Sequence, residues 1–138
     1  MELDEMWSFV LKQTDKCWLW IAICRRTRQA VAFVLGGRSE RRAECSGQRI
    51  PLSYKTCRTF SDFWSAYCKV FPKETRSSVG KETGKTCRVE RWNNTCRQSN
   101  ARYTRKTLSF SKTAYFHELA TRLFIVRYNL KLRASLSI

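Results

Sequence analysis

The stretch Cys17-Trp-Leu-Trp-Ile-Ala-Ile-Cys24, CWLWIAIC, carries no charge and is dominated by aromatic and aliphatic side chains. Residues of this kind fit a pleated, packed surface, so the run reads as a strand. Leu3–Val10 before it and Gln29–Gly36 after it have the same character. The connections are short and polar, Lys12–Lys16 on one side and Arg25–Arg28 on the other. Three strands joined by such turns form an antiparallel meander.

Working outward, Ser39–Arg49 opens with an N-cap residue and charged positions, although Ser46-Gly47 weakens the helix and Pro51 ends it. Thr56–Ser61 reads as a short strand delivering Asp62. A helix follows through Phe63, Trp64, Tyr67 and Val70, stopped at Pro72. Another short strand is expected near Arg76–Val79, and then two helices, Thr86–Lys106 and Ser111–Arg133. In the last of these Phe116, Leu119, Leu123, Phe124, Val126 and Leu130 recur at three and four residues, a spacing that predicts a core-facing stripe. The whole is an α/β layer arrangement in one domain, residues 1–138.

The chain has 27 Lys and Arg against 11 Asp and Glu, a net charge of +16, with a hydrophobic fraction of 43% that excludes disorder. Such an excess points to a polyanionic partner, with nucleic acid first, because basic side chains displace counterions from phosphates. Arg25–Arg28 interrupts the apolar runs, so no segment approaches the length needed to span a bilayer. The acidic amino end, MELDEMW, lacks a secretory pattern, and an intracellular location is expected. Seven cysteines without C-x-x-C or Cys/His spacing read as free thiols rather than a zinc site.

In so basic a chain, Glu90 between Arg88 and Arg91 calls for a reason. If the first strand is central and pairs with the strand preceding Asp62, Asp4 and Asp62 lie side by side, and a crossing helix brings Glu90 to them. Two Asp and one Glu, with substrate phosphate oxygens, suit Mg²⁺, and two such ions about 4 Å apart serve in-line phosphoryl displacement. Spacing alone leaves the alternative open, in which Asp4 is a solvated strand residue, Asp62 a helix cap and Glu90 an intrahelical ion-pair partner. It also leaves open the choice among Glu2, Asp4 and Glu5. His117, the lone histidine, reads as a packing residue rather than a general base, and Trp92 and Tyr103 as core rather than base-stacking groups.

Five motifs carry a resemblance: LDEMWSFV (3–10), FSDFW (60–64), VGKETGKT (79–86), VERWNN (89–94) and RKTLSFSK (105–112). In this order, over nearly the whole chain, they resemble the catalytic region of the insertion-sequence-one family transposases, of the DDE class. The resemblance implies a ribonuclease-H-like mixed sheet, in which the antiparallel meander gains one or two further strands and is flanked by helices. It implies an enzyme that cuts and joins DNA at element ends with Mg²⁺ or Mn²⁺, expected as two ions, and it places the acidic triad on Asp4, Asp62 and Glu90. Water cuts a phosphodiester there, and the freed 3′-hydroxyl attacks target DNA without a covalent protein intermediate.

Glu90, Asn94 and Arg97 share one face of their helix, and Val89, Trp92, Cys96 and Tyr103 the other. Arg91, Asn94, Arg97, Arg105 and Lys106 are then the expected DNA contacts, positioning the duplex through its phosphates. The implied partners are double-stranded DNA, as element ends and target, further copies of the chain on that DNA, and a DNA-binding protein from an upstream frame. The implied setting is the prokaryotic cytoplasm, on the nucleoid, with no membrane.

Family members carry an upstream DNA-recognition region, and the expectation here is a catalytic domain truncated at its amino end. Gly37 stands where the family has Asp, Arg88 where it has His, and Cys96, Ser99 and Asn100 where Leu, Arg and Leu are expected. Asn100 is then expected to interrupt the apolar stripe as a buried amide. The alternative these departures raise is a decaying copy that binds DNA through its charge and cuts nothing.

Overall fold

Leu19, Ile21 and Ile23 point to one side of their strand and Trp20 and Ala22 to the other, and all five are buried. Side chains alternate along a strand, so a run with no polar member marks a sheet covered on both faces. The computed structural model describes residues 1–137. Five strands form one sheet: β1 (Glu2–Phe9), β2 (Lys16–Ile23), β3 (Ala30–Gly36), β4 (Thr59–Ser61) and β5 (Arg76–Ser78). Helices α1 (Glu40–Arg49), α2 (Leu52–Lys55) and α3 (Ser65–Val70) alternate with the later strands, and α4 (Cys87–Ser99) and α5 (Ala114–Leu136) follow them.

The strand order is β3-β2-β1-β4-β5, with β1 central. β1 and β3 run antiparallel to β2, which is the expected meander, while β4 is parallel to β1 and to β5. A mixed five-stranded sheet flanked by helices is compatible with the ribonuclease-H-like α/β fold. α1 and α3 cover one face, through Ala43, Ile50, Ala66 and Tyr67 packed on Met1, Leu3, Trp20, Ala22 and Val34. α4 and α5 cover the other, where Val89, Trp92, Cys96 and Ile125 meet Met6, Leu19, Ile21 and Ile23. Gly47 lets α1 approach α3: a Cβ there would lie 2.5 Å from a Val70 methyl.

The central strand and its parallel neighbour position the site. β1 and β4 are in register at Glu2 and Phe60, the one pair between them. Past it the strands separate, and Asp4 and Asp62, each two residues further on, stand at the mouth of the fork.

Several expectations change. The helix predicted over Thr86–Lys106 ends at Ser99, because the Asn100 side chain accepts the Arg102 N–H at 3.2 Å and starts a 3₁₀ turn over Ala101–Tyr103. Asn side chains compete with the helix for backbone donors in this way. Asn100 is therefore a bonded cap and not an unpaired amide in an apolar stripe. Tyr103 reaches the core from the turn, not from the helix. Phe63, expected on an apolar helix face, lies before α3 and is 70% exposed.

The largest correction concerns α5. Phe116, Leu119, Leu123, Val126 and Leu130, the predicted core stripe, are all exposed, and of that set only Phe124 packs against the core. The opposite face is buried through His117, Thr121 and Ile125. His117 bonds Ser8 at 2.8 Å through Nε2 and Ser111 at 2.6 Å through Nδ1, and Thr121 donates to the His117 carbonyl at 2.8 Å. Polar groups so satisfied are buried at little cost, so apolar periodicity alone selects the wrong face. Asn129 adds to the same attachment, its amide bonding both the N–H and the carbonyl of Ala30 on β3 at 2.9 Å.

Candidate active site

At the mouth of the fork, β1 places Asp4 on the α4 side and Glu5 on the α3 side, as alternation requires. Separation of β4 from β1 lets both approach Asp62. One carboxylate oxygen from each of Asp4, Glu5 and Asp62 lies within 4.8 Å of the others. With Glu90 and Lys81 these acids line a cleft of about 230 Å³.

Each acid is held by the fold. Asp4 accepts the Asn93 amide at 2.7 Å, and burial, then the charges of Glu5 and Asp62, raise its pKa to about 7. Glu5 accepts the Tyr67 hydroxyl at 2.7 Å and the Arg38 guanidinium at 2.6 Å, yet burial still raises its pKa. Arg38 is itself stacked between Trp18 and Trp64, 4.7 and 4.8 Å from their ring centres. Asp62 accepts the Trp64 N–H at 3.0 Å, in a turn that leads into α3. Glu90 accepts the Thr86 hydroxyl at 3.0 Å, and among the described residues it makes no salt bridge.

Glu2, two residues before Asp4, has a different task. It is wholly buried, accepts the Arg88 and Val89 N–H groups at 2.9 Å, and pairs with Arg25 and Arg88 at 3.0 and 3.3 Å. A carboxylate at a helix N-terminus meets free N–H donors and the positive end of the helix dipole. Glu2 therefore fixes the first turn of α4, and with it Glu90, to the strand that carries Asp4.

The basic residues divide. Asn94, Arg97 and Arg105 line a second cleft together with Asp4, Glu5 and Glu90. Within it Arg105 lies over the Trp7 ring, while Arg97 is spent on the carbonyls of Tyr103 and Trp7 at 3.1 and 3.4 Å. Arg91 is exposed on α4, its charge felt by the Tyr128 hydroxyl, and Lys106 is exposed on the loop before α5; neither lines the acidic clefts. His117 is a core residue with its pKa lowered to about 4 by burial and by Arg102. Trp92 and Tyr103 are buried, as expected of core groups.

Sequence reasoning missed Glu5 as a neighbour of Asp62, and it missed Asn93. The motifs selected Asp4 from among Glu2, Asp4 and Glu5, whereas Asp4 and Glu5, on opposite sides of β1, both reach Asp62. Asn93 is three residues after Glu90, and Asn94, four after it, was preferred; both offsets share a helix face. All seven cysteines are free, but only Cys17, Cys24, Cys45 and Cys96 are buried or half-buried as free thiols were expected to be, and Cys57, Cys68 and Cys87 are exposed. No helix among the described residues is long and apolar enough to cross a membrane.

The IS1 transposase family profile matches residues 1–136. The chain is 34% identical over 131 residues to the insertion element iso-IS1n protein InsB of Shigella dysenteriae, covering 92% of this chain and 94% of that one. It is 33% identical over 119 residues to the insertion element IS1 4 protein InsB of Escherichia coli K12, covering 85% of this chain and 68% of the relative. No solved structure matches. A match along nearly the whole length, with relatives of this identity, places the chain in the IS1 transposase family.

Proposed function

We propose that the chain is a transposase catalytic domain that cuts and joins DNA strands with a divalent cation, Mg²⁺ or Mn²⁺, and that Asp4, Asp62 and Glu90 form its centre. The observation that carries this reading is the convergence of Asp4, Glu5 and Asp62 within 4.8 Å, in a cleft that Glu90 also lines. Crowded carboxylates in a protein of charge +16 are costly without a cation, and the rise of Asp4 to about 7 reflects that cost.

The donors are all oxygens, the set that hard cations take, and the buried Asn93 Oδ1 beside them has no protein partner. Asp4 and Asp62 would hold the ion, with Glu90 completing the set. When bound, such a cation neutralises phosphate charge and polarises the scissile ester, and two together serve the attacking and the leaving oxygen.

The rest is done by the chain itself. Asn93 sets the rotamer of Asp4, Thr86 sets that of Glu90, and the Tyr67–Arg38 clamp holds Glu5 in the cleft wall. Lys81 balances the acids, its charge favouring ionised Asp4. Asn94 and Arg105 face an approaching phosphate backbone, while Arg97 props the cleft wall. Arg91 and Lys106, further out, act on DNA through longer-range attraction.

The test is cleavage of duplex DNA carrying the sequences that flank the chain's own gene, with Mg²⁺ or Mn²⁺, by wild type and Asp62→Asn. Nicked and joined products are expected from the wild type alone, with the variant slower by at least about a thousandfold. Binding without products from the wild type, or equal products from both proteins, reduces the chain to a basic DNA-binding protein.

A further inference from the structure

Among the described residues, nothing covers the face of α5 that the sequence assigns to the core, save at Phe124. Phe116, Leu119, Leu123, Val126 and Leu130 are 41–60% exposed and follow one another at intervals of three, four, three and four residues. That is the a/d spacing of a coiled-coil seam. The helix spans Ala114–Leu136, about 35 Å, and its attachment to the body through His117, Thr121, Ile125 and Asn129 lies on the other side. With Tyr115 and Leu136, which are 67% and 65% exposed, the seam presents on the order of 700 Å². A lone monomer rarely exposes so large an apolar patch, and about 800 Å² per partner suffices for a standard interface.

We infer that the occupant of this seam is a second copy of the chain, paired antiparallel through α5 about a two-fold axis. Charge selects the direction. The residues beside the seam are Tyr115 and Arg122 on one edge, before Asn129 turns back onto Ala30, and Ala120, Arg127 and Ala134 on the other, and Arg133 takes the next seam position after Leu130. Parallel pairing sets Arg122 of one copy against Arg127 of the next, a like-charge contact at each end of the repeat. Antiparallel pairing sets Arg127 near Ala120 and Arg133 over Phe116, while Arg122 stays bonded to Glu118 of its own helix at 2.9 Å.

The symmetric register with its axis between Phe124 and Ile125 stacks Leu119 on Leu130 and Leu123 on Val126, each twice, giving four apolar layers. An isologous contact of this kind closes on itself. The pairing is independent of the catalytic reading and stands or fails without it.

Sedimentation of the full chain without DNA, at high salt across micromolar concentrations, tests it. Wild type is expected as a dimer. Leu123→Glu is expected to weaken the dimer by at least about a hundredfold with an unchanged circular dichroism spectrum. Arg127→Glu gauges direction, because it faces Ala120 in the antiparallel pair and leaves the dissociation constant within about threefold of wild type. A monomeric wild type, or a folded Leu123→Glu that dimerises as wild type does, overturns the proposal. Tightening by tenfold or more in Arg127→Glu overturns the antiparallel arrangement.

Discussion

Replacing Glu2 by Gln tests how the fold delivers Glu90 to Asp4. The carboxylate is wholly buried and receives two backbone N–H bonds at the start of α4 and two guanidinium contacts, from Arg25 and Arg88. Gln keeps the shape but offers one acceptor oxygen, and its amide turns donors toward donors. The two arginines, about one-third exposed, recover part of their hydration.

A lost charge-assisted bond costs about 1.5–3 kcal/mol, and breaking a buried pair about 3–5 kcal/mol, so a loss of about 3 kcal/mol is expected. In a chain of 138 residues that lowers Tm by about 10 °C. Arg25→Ala removes one exposed partner and leaves the carboxylate satisfied, with an expected cost of about 0–1 kcal/mol. Urea unfolding at neutral pH, with unchanged m-values, measures both. A Glu2→Gln loss below about 1 kcal/mol, or one no larger than that of Arg25→Ala, refutes the claim that this carboxylate anchors α4.

Other consequences are equally open to measurement. Asp4→Asn removes a carboxylate that burial and its neighbours make costly to ionise, so it raises stability by about 1–3 kcal/mol at pH 8 and abolishes the stabilisation that Mg²⁺ gives the wild type, both read by thermal unfolding. The buried acids, Asp4 with Glu5 raised in the same direction, and the buried His117 set opposing pH trends. Asp4, raised to about 7, contributes stability below pH 4 that is lost as pH rises to 7, whereas His117, lowered to about 4, costs stability as pH falls from 6.5 to 4, because the unfolded chain then binds the proton. With the raised acids removed in Asp4→Asn/Glu5→Gln, stability is expected to rise by about 3 kcal/mol from pH 4 to 6.5, and a flat profile in that variant contradicts the assignment. Gly47→Ala puts a methyl against Val70, and the expected overpacking of about 1–3 kcal/mol outweighs the gain in helix propensity; a variant more stable than wild type shows that α1 and α3 separate freely.

The sheet was legible because β2 has no polar alternate and its neighbours are joined by short charged turns. The parallel strands were legible only as short segments, since β4 and β5 have three residues each and their pairing is set by long-range packing. The fork between β1 and β4 follows from that brevity, and no residue announces it. Asp4, Asp62 and Glu90 were named from motifs, while Glu5 and Asn93 were not, because their approach depends on strand divergence and on the anchoring of α4 by Glu2. α5 misled for a physical reason. Its apolar spacing is regular, but the sheet side accepts His117 and Thr121, whose partners Ser8, Ser111 and Tyr103 lie far away in the chain or beyond a turn.

Anomalous diffraction from crystals soaked in Mn²⁺ tests the proposed centre most directly. A peak bound by oxygens of Asp4 and Asp62, with Glu90 turned from Thr86 toward it and the peak absent in Asp62→Asn, is the predicted result. Manganese bound elsewhere, or a cleft that stays empty at saturating Mn²⁺, contradicts it.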